Sequence, residues 1–212
     1  MLFYLRDSAN AITATGYLFA ILSLYLAING HIELATAAML WTWFLDHWDG
    51  HVARKTNDRR QPGAADFGKS FDGFVDFIHG VLFPAIVVLL VGQASLFSLV
   101  AVTVSILAGA IRLSYFENVG LSADGRFAGL PVSYDTPVIV ALLLLRPLLP
   151  DSSFGTVLAA AFIVLAILHV NTAIKVPAIR GIAVPIATLA AFATSIALTA
   201  ISPSNVLALA AQ

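Results

Sequence analysis

The stretch Asp46–Asp76, DHWDGHVARKTNDRRQPGAADFGKSFDGFVD, carries two acidic pairs separated by a polar turn. Asp46 and Asp49 are three residues apart, and Asp72 and Asp76 four apart, so each pair shares one face of a helix. The intervening run, rich in Arg, Asp, Gln, Pro and Gly, reads as a short hairpin that brings the second helix back antiparallel to the first. The two pairs then face each other at similar depth. Asp72 and Asp76 run inward beside Phe71, Phe74 and Val75. A carboxylate within an apolar span costs roughly 3 kcal/mol unless it is paired, hydrated or metal-bound, so its default reading is functional. Surface aspartates at helix ends are the bland alternative. That alternative suits Asp66, as a cap of the returning helix, and fails for Asp72 and Asp76.

Outward from this hairpin the chain is apolar almost throughout. Of 212 residues, 59% are hydrophobic and only 11% charged, too few for the charged surface of a soluble domain. The apolar residues come in long blocks, such as Ile12–Ile28 and Ile182–Ile201, approaching the ~20 residues that cross a bilayer. Helices satisfy the backbone there, and the period of two that marks a barrel is absent. The expected fold is all-α, a polytopic transmembrane bundle with helices near 11–29, 33–54, 66–92, 96–117, 133–149, 153–173 and 179–201. Residues 1–212 read as a single membrane-embedded domain, and the first apolar run as a retained helix rather than a signal peptide. Pro84 should kink the third helix unless neighbours satisfy the freed carbonyl. The fifth span is the weakest, because Arg146, Pro147 and Pro150 crowd its end.

With the N-terminus inside, Arg6, Arg54, Lys55, Arg59, Arg60, Lys69, Arg112, Arg126, Lys175 and Arg180 fall at cytoplasmic ends, and only Arg146 at an outer one. The acidic site would then face the cytoplasm. A formal net charge of −1 gives no sign of nucleic-acid binding, and the absence of cysteine removes disulfides and thiolate metal sites.

Four converging carboxylates repel one another unless a cation intervenes, and Arg54 is the one basic residue well placed nearby. Hard divalent ions with oxygen ligands fit best: Mg²⁺ or Mn²⁺, two of them where carboxylates are shared. Gly50, Ala53 and Gly68 are small residues beside the acidic faces, giving clearance for a base or a diphosphate. Arg54 can hold phosphate oxygens bidentately. Carboxylates, a metal, a cation and small-residue clearance together describe a nucleotide-diphosphate site.

These residues, Asp46-x-x-Asp49-Gly50-x-x-Ala53-Arg54 followed by Gly68-x-x-x-Asp72-x-x-x-Asp76, resemble the signature of the CDP-alcohol phosphotransferases, with all its fixed positions present. The hairpin between Arg54 and Gly68 is longer than is usual in that family, and insertions there leave helix geometry intact. Asn10–Thr13 is similar to the family's opening stretch. Arg112-Leu113-Ser114-Tyr115-Phe116 and Arg126-Phe127-Ala128-Gly129-Leu130-Pro131 resemble segments of its phosphatidylserine synthase branch.

The resemblance implies that Asp46, Asp49 and Asp72 are metal ligands, and that Asp76 is both ligand and general base. It places Asp49, Gly50, Ala53, Arg54, Asp66, Gly68 and Asp72 around the cytidine diphosphate. The implied reaction moves a phosphatidyl group from CDP-diacylglycerol to a small polar alcohol, releasing CMP. Serine is the first choice of acceptor, with Arg112, Arg126 and His79 as candidate acceptor contacts. Choline, inositol and glycerol phosphate stay open, since the same signature would serve them. An aspartate-rich intramembrane prenyltransferase and a cation transporter are the rival classes. A homodimer in the inner membrane of a prokaryote is expected, with Gly109, Ala110 and the Ala-rich 188–200 stretch permitting close packing.

Overall fold

The structure, a computed structural model, describes residues 1–179 and 181–201; the basic residue at 180, placed above at a cytoplasmic end, lies outside the described residues. Among the described residues, seven helical rods form the body: α1 Ser8–Ile28, α2 Ile32–Thr56, α3 Ala64–Val91, α4 Leu96–Val119, α5 Asp135–Leu145, α6 Asp151–Val170 and α7 Ala183–Ala200. Each predicted span overlaps one of them. Five of the seven (α1, α3, α4, α6 and α7) are long and apolar enough to cross a membrane. The chain is an integral membrane protein whose outward faces, including Leu18, Ile21, Leu107, Ile111, Val164, Ile167 and Leu189, are apolar and exposed.

The other two helices depart from a simple span for different reasons. α2 has the length, but the second half of it carries the aspartates. α5 has only 11 α-helical residues, against the expected span of 133–149. 3₁₀ turns at Val132–Tyr134 and Arg146–Leu148 extend it at both ends. Proline at 131 and 147 limits regular α geometry there. The last two helices also differ from expectation at their ends. α6 stops at Val170, and α7 starts at Ala183, because residues 175–177 pair instead as a strand. That strand, β2 (Lys175–Pro177), runs antiparallel to β1 (Arg126–Ala128), with Phe127 opposite Val176. The two-stranded ribbon ties the loop after α4 to the loop after α6.

α1 begins where Asp7 accepts backbone N–H bonds from Ala9 (3.1 Å) and Asn10 (3.2 Å), an N-cap that satisfies two of the helix's free donors. α1 and α2 then pack along hydroxyl-to-carbonyl bonds. Thr42 Oγ1 donates to the Gly16 carbonyl (3.1 Å) and Ser23 Oγ to the Ala35 carbonyl (2.6 Å). Such interhelical bonds contribute about 0.6 kcal/mol each in apolar surroundings. The core lies among α2, α3, α5 and α6, built on Met39, Phe83, Ile139, Leu143, Phe154 and Phe162.

Pro84 does not simply kink α3. The residues before it, Ile78–Leu82, form one π turn, so the Phe83 N–H reaches back to the Ile78 carbonyl. In that register the next donor in line for the His79 carbonyl would be residue 84, and proline has no N–H. Thr136 supplies the missing donor: its hydroxyl bonds the His79 carbonyl at 2.9 Å. A neighbouring 3₁₀ turn can come this close because residue 80 is glycine. A Cβ there would sit 2.7 Å from Val132 Cγ2. Gly109, expected to permit close helix packing, does so within this chain: a Cβ there would meet Val81 Cγ2 at 2.6 Å.

Candidate active site

At the end of the bundle that carries the 57–63 hairpin and the ribbon, a cavity of about 250 Å³ opens between the acidic faces of α2 and α3 and the end of α4. Asp46, Gly50 and Arg54 of α2 and Asp72 and Asp76 of α3 line one wall, and Arg112, Phe116 and Phe127 the other. The hairpin geometry read from residues 46–76 therefore brings three of the four aspartates to a common space.

The tightest group there is Asp46, Asp76 and His79, whose ligand-capable atoms all lie within 4.8 Å of one another. His79 is completely buried, its Nε2 3.1 Å from Asp76 Oδ1 and 3.7 Å from Asp46 Oδ1. Helix spacing accounts for this placement, because His79 stands three residues after Asp76 and so lies on the same face. Asp72 Oδ1 and His79 Nδ1 are buried without a hydrogen-bond partner. Buried polar atoms without partners are costly, and an orphaned carboxylate oxygen beside two more carboxylates calls for a cation. An oxygen-rich donor set with one imidazole suits Mg²⁺ or Mn²⁺.

Asp49 turns away from this group. It is buried against α1, where it accepts a short hydrogen bond from Thr13 Oγ1. It lines a second cavity of about 190 Å³ together with Asn10, Gly50, Ala53, Gly68, Lys69 and Asp72. The three-residue step from Asp46 thus splits the pair between two spaces, and Asp72 and Gly50 border both. The missing side chain of Gly68 is filled by Asn10 Oδ1 and Arg60, whose Nη2 would lie 3.0 Å from a Cβ. Arg60 is bound to Asp7 through Nε (3.1 Å) and Nη2 (3.0 Å), and to Asn10 Oδ1 at 2.9 Å. This clamp fixes the start of α1 to the start of α3.

Two expected contacts lie elsewhere. Asp66 is exposed in the first turn of α3 and does not cap it: the cap position is Gly63, at φ 77°. Arg126 lines neither cavity. Its Nε pairs with Asp124 at 3.1 Å, and the Ser122 hydroxyl (2.5 Å), together with Arg126, holds that exposed carboxyl below its usual range. Lys69 pairs with Glu117 at 3.0 Å.

Arg112, by contrast, is buried and faces the first cavity. Its guanidinium lies over Phe116 (5.7 Å) and Phe127 (5.6 Å), and its Nε donates to the Leu130 carbonyl at 3.3 Å. Among the described residues its terminal nitrogens make no hydrogen bond, so both are left for a ligand in the cavity. A guanidinium held over aromatic rings with its fork free suits bidentate recognition of a carboxylate or phosphate.

Behind Arg112 lies a pair that the reading of the hairpin misses. Asp135 and His169 are both buried, with His169 Nε2 3.0 Å from Asp135 Oδ1 and His169 Nδ1 2.9 Å from the Leu130 carbonyl. The rule that singles out Asp72 applies equally to Asp135, a carboxylate at the head of an apolar helix. Its partner, 34 residues away, follows only from packing.

The CDP-alcohol phosphatidyltransferase family profile matches residues 6–145, the whole of α1 to α5. The chain is 33% identical over 172 residues to an archaetidylserine synthase of Methanothermobacter thermautotrophicus, covering 79% of this chain and 66% of that protein. It is 28% identical over 172 residues to a phosphatidylcholine synthase of Brucella melitensis, covering 77% and 57%. It spans less than two thirds of the length of these relatives. The match takes in both acidic helices, Arg112 and the ribbon's first strand. The chain belongs to the CDP-alcohol phosphatidyltransferase family.

Proposed function

We propose that this protein transfers the phosphatidyl group of CDP-diacylglycerol to the hydroxyl of L-serine, releasing CMP. The observation that carries the acceptor assignment is the caged Arg112, whose free fork faces Asp76 and Asp46 across one small cavity. The acceptor carboxylate would take the two terminal nitrogens of Arg112, leaving the serine hydroxyl directed toward the acidic wall. Asp76 would receive the hydroxyl proton as the serine oxygen forms a bond to the phosphatidyl phosphorus. The bond from that phosphorus to the bridging oxygen breaks in the same displacement, and the electron pair leaves on CMP. His79, bonded to Asp76, would orient that carboxylate. Asp46, Asp72 and Asp76, with Asp49 from the adjoining space, would hold Mg²⁺ or Mn²⁺. Bound there, one ion or two would neutralise charge on the diphosphate oxygens. Gly50 and Ala53 leave backbone clearance on the side of α1, where the cytidine diphosphate would lie with Arg54 on its phosphates; the space at Gly68 is taken by Asn10 and Arg60.

The relatives name two head groups, serine in one and choline in the other, and the cavity favours serine. Of the aromatic side chains lining the cavity, Phe116 and Phe127 are already covered by the Arg112 guanidinium, which leaves Tyr134 alone for a trimethylammonium. A second cation would meet like charge. The family match also runs against the prenyltransferase and transporter classes.

The site is proposed to face the cytoplasm. Arg54, Lys55, Arg59 and the ribbon's Arg126 and Lys175 gather at its end of the bundle, whereas Arg146 pairs with Glu33 at the opposite end of α2 (3.4 Å). The family likeness supports a homodimer, which cross-linking in native membranes would test.

The deciding experiment offers the purified protein CDP-diacylglycerol and Mn²⁺ or Mg²⁺ with serine, choline, inositol or glycerol phosphate separately. CMP release and a serine-labelled lipid should appear with serine and vanish with chelator. Turnover with choline alone would overturn the acceptor assignment. Pyrophosphate release from an isoprenoid diphosphate would overturn the reaction class.

A further inference from the structure

We infer that the buried Asp135–His169 pair is a positioning device for the acceptor site, aiming Arg112 through the carbonyl of Leu130. This inference rests on Arg112 receiving the acceptor carboxylate. The Leu130 carbonyl has two lone pairs, and two side chains use them: Arg112 Nε at 3.3 Å and His169 Nδ1 at 2.9 Å. A carbonyl only accepts, so His169 must carry its proton on Nδ1. That leaves Nε2 bonded to Asp135 Oδ2 at 3.2 Å, and the carboxyl and imidazole share one further proton between them. The Leu130 carbonyl therefore selects the Nδ1–H form of His169, and Asp135 fixes the plane of the ring from its other nitrogen.

The backbone is held just as closely. Leu130 N–H donates to the Leu168 carbonyl (3.0 Å) and Gly129 N–H to the Ile174 carbonyl (2.9 Å), so the segment before Pro131 lies along the end of α6. What remains adjustable is the direction of the Leu130 carbonyl, and His169 sets it. Arg112 has no other polar anchor among the described residues. Its aromatic neighbours restrain it perpendicular to the ring faces but allow sliding between them. Removing the His169 donor would free the carbonyl, and the guanidinium would lose its in-plane register with the cavity. Asp135 and His169 are 3% and 2% exposed, so neither can reach a substrate itself. The role is positional, not catalytic.

The test is an L-serine titration at saturating CDP-diacylglycerol in the full-length protein and in four variants. An asparagine at 169 places its amide N–H where Nδ1 stood; a glutamine places it near Nε2. His169→Gln should raise the KM for serine about 5–10-fold with kcat and the KM for CDP-diacylglycerol held within about twofold, and His169→Asn should restore most of the loss. Arg112→Ala should raise the serine KM further, and adding His169→Gln to it should change nothing more. Should His169→Gln not accumulate in the membrane, Asp135→Ala carries the test, because it removes the contact that holds the His169 ring in plane and should raise the serine KM in the same way.

The possible failures are distinguishable. A serine KM that rises in Arg112→Ala but not in His169→Gln or Asp135→Ala overturns the positioning role alone. Equal losses of kcat and of affinity for both substrates overturn it too, as merely structural. An unchanged serine KM in Arg112→Ala, or no serine-dependent turnover in the unaltered protein, overturns the acceptor reading and this inference with it.

Discussion

On one side of the cavity, Asp46, Asp72, Asp76 and His79 project from consecutive turns of two antiparallel helices joined by one hairpin. On the other side, Arg112 is held by Phe116 of its own helix, Phe127 of the ribbon, and the Leu130 carbonyl of a loop that His169 of α6 fixes in turn. The first wall inherits its geometry from helix periodicity and needs few long-range contacts. The second needs four separate segments to arrive together. A site divided in this way can keep one chemistry on the helix-borne wall and vary its substrate on the assembled one.

If that division is right, the largest loss comes from the helix-borne wall. Asp76→Asn keeps the shape of the side chain and removes the proton acceptor. Turnover should fall about 10²–10⁴-fold while CDP binding, read by calorimetry with the metal present, stays within about threefold. Normal turnover would remove Asp76 as the base. Arg112→Lys attacks the assembled wall while keeping its charge. An ammonium has neither the Nε link to Leu130 nor the planar fork, so the KM for serine should rise about tenfold with kcat little changed. An equal loss in kcat would show that the two walls are not separable.

Thr136→Val tests the seam between them. Thr136 supplies the donor that Pro84 denies to the His79 carbonyl. Without it a buried carbonyl is orphaned, at about 1–3 kcal/mol. The expected outcome is a lower thermal midpoint in detergent and a severalfold lower kcat, since His79 backs Asp76. A loss of serine affinity instead would place Thr136 on the wrong wall.

The same division explains what the sequence makes legible. The acidic hairpin is readable because its information is local: spacings of three and four, a polar turn and an apolar surround. Five of the helices follow from apolar runs alone and α2 from its apolar first half, and α5 is the least regular because prolines flank it on both sides. The π turn is harder to read. Pro84 signals a disturbance in α3, but whether it becomes a kink or a changed register depends on Thr136 and on the gap left at Gly80, both matters of packing. Arg126 illustrates the converse. Its position in a resembling segment suggests a substrate contact, yet the ribbon turns it to Asp124 and gives the cavity to its neighbour Phe127. The Asp135–His169 pair is hidden because half of its signal lies in each of two distant helices.

The smallest effect is expected behind the helix-borne wall. Trp48 lies between Asp46 and Asp49 on α2, and its Nε1 donates to Thr188 Oγ1 of α7 at 3.1 Å. Thr188 in turn donates to the Val184 carbonyl (2.9 Å), so its remaining lone pairs are free to accept. Trp48→Phe removes that tether and leaves the aromatic packing on Phe44 largely in place. One neutral hydrogen bond is worth about 1 kcal/mol, which corresponds to a fall in thermal midpoint of about 2–4 °C for a chain of this size. If the acidic wall is held by helix continuity, kcat and both KM values should stay within about twofold. A larger drop in kcat would mean that α7 props Asp46 in place from behind, and that this wall, too, is assembled from distant parts.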